Sequence, residues 1–144
     1  MPGPSKRPNP SPDQPEPGSV LSLLAERPQV DFELEFYDTL LRRVPDFAEV
    51  LRAQASNLTV KGRLKDGLKV DQRLVAIRPA DPTAHYNLAC RYALLKQRDL
   101  ALQTLRRAVE LGYRDFRFMI QDTDLDSVHK DPRFRALLKE FGAY

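Results

Sequence analysis

The sequence predicts an all-α fold, a right-handed stack of antiparallel helical hairpins, and three observations carry that prediction. Apolar residues recur at helical spacing from Phe32 to Phe141, with start and stop residues between the runs. The stretch Asp81–Gly112 reads as one complete helix pair, opened by Asp81-Pro82 and closed by Gly112. No strand pattern competes, since β-branched residues are sparse and no period-two run exceeds a few residues.

Taken in order, residues 1–19 form a tail. Seven of the 12 prolines fall within residues 1–17, and no Val, Leu, Ile, Phe or Tyr precedes Val20. Such a segment buries too little apolar surface to offset its ordering entropy, so we expect disorder there. Residues 20–144 form the helical domain. Ser19–Arg27 is read as a short helix before Pro28. Asp31 caps a run with Phe32, Phe36, Leu40 and Leu41 on one inward face, ended by Pro45.

Asp46 and Glu49 form a capping box for a helix carrying Phe47, Leu51, Ala55 and Leu58 inward. Gly62 breaks that helix, and the next begins near Leu64 with Leu68, Leu74 and Val75 inward. After Asp81-Pro82 come the stripes His85, Leu88, Ala89, Tyr92 and then Leu100/Ala101, Leu105, Ala108. A short helix over Phe116–Gln121, an acidic turn Asp122–Asp126 and a last helix from Asp131-Pro132, with Phe134, Leu137, Leu138 and Phe141 inward, complete the chain.

Composition narrows the function. The formal charge is +3, with basic and acidic residues interleaved. The stripe Lys61, Arg63, Lys65, Lys69, Arg73 has no base-stacking aromatics between its cations, which weighs against nucleic acid. The single Cys90 leaves no intramolecular disulfide and fits a reducing compartment. Signal-peptide and membrane-span patterns are missing, so we expect a cytoplasmic protein with no membrane role.

Internal comparison sharpens the fold. Shifted by 34 residues, Ala55 falls on Ala89, Leu58 on Tyr92, Gly67 on Ala101, Leu74 on Ala108, and Val75 on Val109. Small residues recur where helices approach closely, and large ones where the space between copies is filled. A hairpin of this size cannot bury both its faces alone, so the copies stack.

At these residues the chain resembles the tetratricopeptide repeat. That family's helix pair places an aromatic, Leu-Gly, Tyr, Ala, Phe, Ala and Pro at set positions. In the copy over 82–115 they correspond to His85, Leu88-Ala89, Tyr92, Ala101, Leu105, Ala108 and Tyr113. In the copy over 48–81 they correspond to Leu51, Gln54-Ala55, Leu58, Gly67, Asp71, Leu74 and Pro79. Gln54 and Asp71 depart most, implying a face that is partly exposed or meets a polar neighbour. The resemblance implies about two full repeats, a preceding half-repeat at about 31–45 and a cap at about 116–141.

It also implies a concave groove lined by the first helix of each pair: Glu49, Arg52, Ser56 and Thr59, then Thr83, Tyr86, Asn87, Cys90, Ala93 and Leu94, then Arg117 and Gln121. Members that clamp two carboxylates use Lys, Asn and Arg at places matched here by Arg52, Ser56, Asn87, Arg117 and Gln121. Asn87 is identical, and both arginines keep the charge. The favoured reading is that these arginines are solvated or paired with local acids. Tyr86 and Cys90, one turn apart, line either a peptide-contacting patch or the repeat interface.

The candidate peptide-binding groove is therefore Arg52, Ser56, Tyr86, Asn87, Cys90, Arg117 and Gln121. The run Asp122–Asp126 lacks the glycine and closing Glu of a calcium loop, and reads as turn and cap chemistry. His85 takes a packing place, and no phosphate loop, nucleophile elbow or zinc-protease motif occurs. We expect no enzyme activity, cofactor or metal, and a protein or peptide partner held by an adaptor or scaffold. The alternatives are a basic helical module for nucleic acid and a non-catalytic accessory subunit of an enzyme complex. The oligomeric state is left open.

Overall fold

The computed structural model describes residues 29–143. The predicted tail over 1–19 and the predicted helix over Ser19–Arg27 lie outside them. Eight α-helices occur among the described residues: α1 (Gln29–Arg43), α2 (Ala48–Val60), α3 (Leu64–Ile77), α4 (Pro82–Leu94), α5 (Arg98–Glu110), α6 (Phe116–Gln121), α7 (Asp126–His129) and α8 (Pro132–Glu140). A 3₁₀ turn, Thr123–Leu125, joins α6 to α7. There is no strand among them, so the all-α expectation holds. Helices α1 to α5 pack consecutively in antiparallel pairs, and α7 and α8 close the end against α4 and α5.

The 34-residue register is visible in the backbone. Helices α2, α4 and α6 follow N-cap residues Phe47, Asp81 and Asp115. Helices α3, α5 and α8 follow Arg63, Gln97 and Asp131, at the same interval. The turns repeat bond for bond. Gly62 N–H donates to the Thr59 carbonyl and Arg63 N–H to that of Leu58, while Lys96 N–H donates to Ala93 and Gln97 N–H to Tyr92. Gly62 (φ +72°) and Lys96 (φ +62°) both take the left-handed conformation that ends the first helix of a pair. The register runs through the cap, where the first helix of the third copy breaks at Asp122 (ψ 111°).

Two apolar clusters form the core. One gathers Ala48, Leu51, Leu74 and Ala84. The larger joins α4 and α5 to the cap through residues such as Ala89, Leu105, Val109, Met119, Leu125 and Leu138. Ala101 and Ala108 are wholly buried, which lets α5 approach its neighbours closely.

Several expected details differ. Helix α1 turns Leu34 inward and leaves Phe32 and Phe36 half exposed, stacked on each other at 6.4 Å. Polar pairs to α2 set its rotation. Gln54 Nε2 donates to Asp38 (2.6 Å), Asn57 Nδ2 donates to Glu33 (2.9 Å), and Lys61 pairs with Asp31 (2.9 Å). With apolar residues on both sides of α1, these bonds decide which side packs.

The predicted capping box at Asp46/Glu49 does not form, because α2 starts after Phe47 with no side-chain cap. Asp46 pairs instead with Arg73 (3.2 Å), and Phe47 and Leu100, expected inward, are exposed. Asp81 behaves as predicted: its Oδ1 accepts from the N–H groups of Thr83 and Ala84.

Candidate functional site

The site is an open cleft of about 390 Å³ between α2, α4 and the capping turn. Helical spacing puts Arg52, Ser56 and Thr59 on one face of α2 and Tyr86, Asn87, Cys90 and Leu94 on one face of α4. Of the seven candidate groove residues, the structure brings Arg52, Ser56, Tyr86, Asn87 and Cys90 together here. Arg117 and Gln121 are exposed and lie outside the lining, as do Glu49, Thr83 and Ala93. Their place is taken by Phe118, Asp122 and Asp124. The six-residue α6 turns Phe118 toward Tyr86, ring centroids 6.1 Å apart, and the chain then folds inward at Asp122.

Each cation of the cleft already has an acid. The Arg52 guanidinium donates to Asp81 Oδ2 and so braces α2 against the N-terminus of α4. Arg91, absent from the sequence candidates, lies in the wall with only 5% of its surface exposed. Its Nε donates to Asp71 on α3 (2.8 Å) and its Nη2 to the Ala55 carbonyl on α2 (3.0 Å). One buried guanidinium thus ties three helices. Gly67 is the floor it rests on, since a Cβ there would come within 2.5 Å of Arg91 Cζ. Burial pushes the Asp71 carboxyl above its ordinary value, and the bond and charge of Arg91 pull it back. The polar neighbour expected for Asp71 is therefore Arg91, and that for Gln54 is Asp38.

The other end is acidic. Asp122 Oδ1 accepts from the Asp124 N–H (3.0 Å), and its Oδ2 accepts from the Tyr86 hydroxyl (2.7 Å) and the Cys90 thiol (3.7 Å). Tyr86 is 3% exposed and stacks flat on Tyr113 at 4.2 Å. Its body belongs to the interface between copies, and its hydroxyl anchors the cap. Burial first, then the charges of Asp122 and Asp124, push the Cys90 thiol up. It is a protonated packing group at neutral pH. Burial, followed by Asp122, also raises Asp124, with Arg91 opposing.

Cys90, Asp122 and Asp124 offer ligand atoms within 4.8 Å of one another, the one such convergence found among the described residues. The Cys90 thiol bond joins two of the three, and Asp122 caps the turn that carries Asp124. The two histidine rings bond to backbone carbonyls, His85 to that of Pro79 (2.8 Å) and His129 to that of Met119 (3.0 Å).

Sequence reasoning missed Arg91, Phe118 and Asp122. A signal for Arg91 existed: Gly67 and Asp71 stand one turn apart, the smallest residue beside an acid, at places where the next copy has Ala101 and Leu105.

Comparison with known proteins gives one partial likeness of note. The chain is 32% identical over 83 residues to a chloroplastic protein of Arabidopsis thaliana, a match covering 56% of this chain and 25% of that protein. This is distant homology over part of the chain, and the chain spans about a quarter of the curated relative's length. No model of a known protein family matches the chain. No solved structure matches it either.

Proposed function

We propose that this is a tetratricopeptide-type interaction module, an adaptor or scaffold that holds a segment of a partner protein in the cleft between α2, α4 and the cap. The observation that carries the reading is the preformed cleft itself, about 390 Å³ and open to solvent, with exposed polar groups (Ser56, Asn87) beside exposed apolar ones (Val60, Phe118). An extended segment or helix fits such a surface with little rearrangement. The module has no catalysis of its own in this reading, which is supported by the protonated Cys90 and by the engagement of both Asp122 oxygens in structural bonds. Its buried thiol suits a reducing, cytoplasmic setting, and no helix among the described residues is long and apolar enough to cross a membrane. Nucleic acid is the weaker alternative. Of the five-cation stripe, Lys61, Arg63 and Arg73 are paired with Asp31, Asp66 and Asp46, which blunts its field.

A photo-crosslinking residue tests this. Placed at Ser56 or Asn87, it should trap a partner polypeptide in extract of the native cell, whereas at Arg117 it should not. Equal trapping at all three sites, or trapping at Arg117 alone, would refute the cleft as the docking surface.

A further inference from the structure

We infer that the segment held in the cleft presents a Lys or Arg side chain to Asp122 and Asp124. The inference rests on the cleft being the docking groove, and it reverses the polarity that a carboxylate clamp would need. Both lining cations are ion-paired within the fold, Arg52 with Asp81 and Arg91 with Asp71. Counting Asp81, the described residues around the cleft include two cations and four anions.

The surplus lies at one end. Asp122 and Asp124 join no ion pair among the described residues, and the Asp124 contact there is its own N–H donated to Asp122. An acidic occupant would meet two carboxylates and, among the described lining residues, no unpaired cation. A basic one would meet the Asp124 carboxylate as acceptor, with Asp122, whose oxygens already serve the fold, adding its negative charge, and would relieve the repulsion between the two. The apolar approach fits as well. Phe118 is 49% exposed and Leu94 half-buried beside these acids, so an alkyl stem has a surface to lie on and a cationic head has a ring face at hand. Ser56 and Asn87 on the opposite walls supply hydrogen-bonding groups for the backbone of an extended segment.

The test is selection of a bead-displayed library of random octapeptides, acetylated and amidated at their ends, on the intact chain in the presence of chelator. Ser56→Trp, which fills the cleft from an exposed position, serves as the blocked control. Peptides that bind wild type and not Ser56→Trp should be enriched in Lys or Arg. Their affinity, read by fluorescence anisotropy, should fall about 10-fold in Asp124→Asn and further in Asp124→Lys, the loss of one charge-assisted bond. A cleft-dependent consensus that is acidic or neutral, or affinities unchanged in both Asp124 variants, overturns this inference and leaves the docking groove standing. Absence of any peptide sensitive to Ser56→Trp overturns both.

Discussion

Replacing Arg91 by Met tests what holds the stack together. The substitution keeps most of the side-chain volume and removes the charge. It leaves the Asp71 carboxyl, 3% exposed, without the 2.8 Å bond from Arg91 Nε, and removes one donor from the Ala55 carbonyl, which keeps the bond from the Thr59 hydroxyl. Breaking a buried pair from one side costs about 3–5 kcal/mol, chiefly the uncompensated charge left behind. With a urea dependence of about 1.5 kcal/mol per molar, the unfolding midpoint should fall by about 2–3 M.

The loss has a pH signature. Asp71 already titrates above its ordinary value because it is buried, and Arg91 is what pulls it back. Without Arg91 the folded value rises further, so the native state binds more protons than the unfolded chain. Stability of the variant is then greatest below the unfolded value near 4 and declines as pH rises through the folded value, by up to about 1.4 kcal/mol per pH unit.

The double variant Arg91→Met/Asp71→Leu should return to within about 1 kcal/mol of wild type, because an apolar pair of similar volume replaces a buried ion pair at little cost. The molecule contains its own precedent. One register step later the corresponding residues are Leu125 and Leu105, both wholly buried. Arg91 Nη1 also lacks a hydrogen-bond partner, so the native pair is incompletely satisfied. Equilibrium urea unfolding at pH 5 and pH 7, followed by circular dichroism, reads all of this. A single variant that loses less than about 1 kcal/mol, or a double variant that loses the sum of the two singles, would refute the reasoning.

Two further outcomes follow from the same contacts. Gly67→Ala, which would gain about 1 kcal/mol by helix propensity at an open site, should instead destabilise by about 2 kcal/mol, because its Cβ enters the Arg91 guanidinium. In the Arg91→Met background the same change should become neutral or stabilising, and a stabilised Gly67→Ala single variant in the urea assay would contradict the packing described. The Cys90 thiol, pushed up by burial and by Asp122 and Asp124, should react with a disulfide reagent at pH 8 at least about 100-fold more slowly in the folded chain than in urea, and equal rates would show that it is not held protonated.

The repeat was open to reading because its signals are local. A left-handed turn needs Gly62 or a residue that tolerates its backbone, an N-cap needs an oxygen such as that of Asp81, and close helix packing needs Ala89 and Ala101. Each requirement recurs at one interval and so betrays the period. The orientation of α1 was not open in this way. Phe32/Phe36 and Leu34/Leu41 offer two apolar sides, and the bonds from Asn57, Gln54 and Lys61 select one. Arg52 reads as a free cation until Asp81, 29 residues away, is brought beside it. Arg117 and Gln121 were placed by extending the helical register of α4, but α6 is only six residues long, and its Phe118 and the turn after it fill the end of the cleft.

The helices, their interval, the caps at Asp81 and Asp131 and the small-residue contacts that let the helices stack were legible in the chain, because those depend on neighbours within a few positions, whereas the caps expected at Asp31 and Asp46 do not form. Tertiary structure alone decided the sign of the cleft. The charge available to a partner is what remains after Arg52 and Arg91 have found Asp81 and Asp71, and those pairings exist only once separate helices are packed together. Opposite charges cancel over a few ångströms. A list of the same residues in order cannot show which of them are left over.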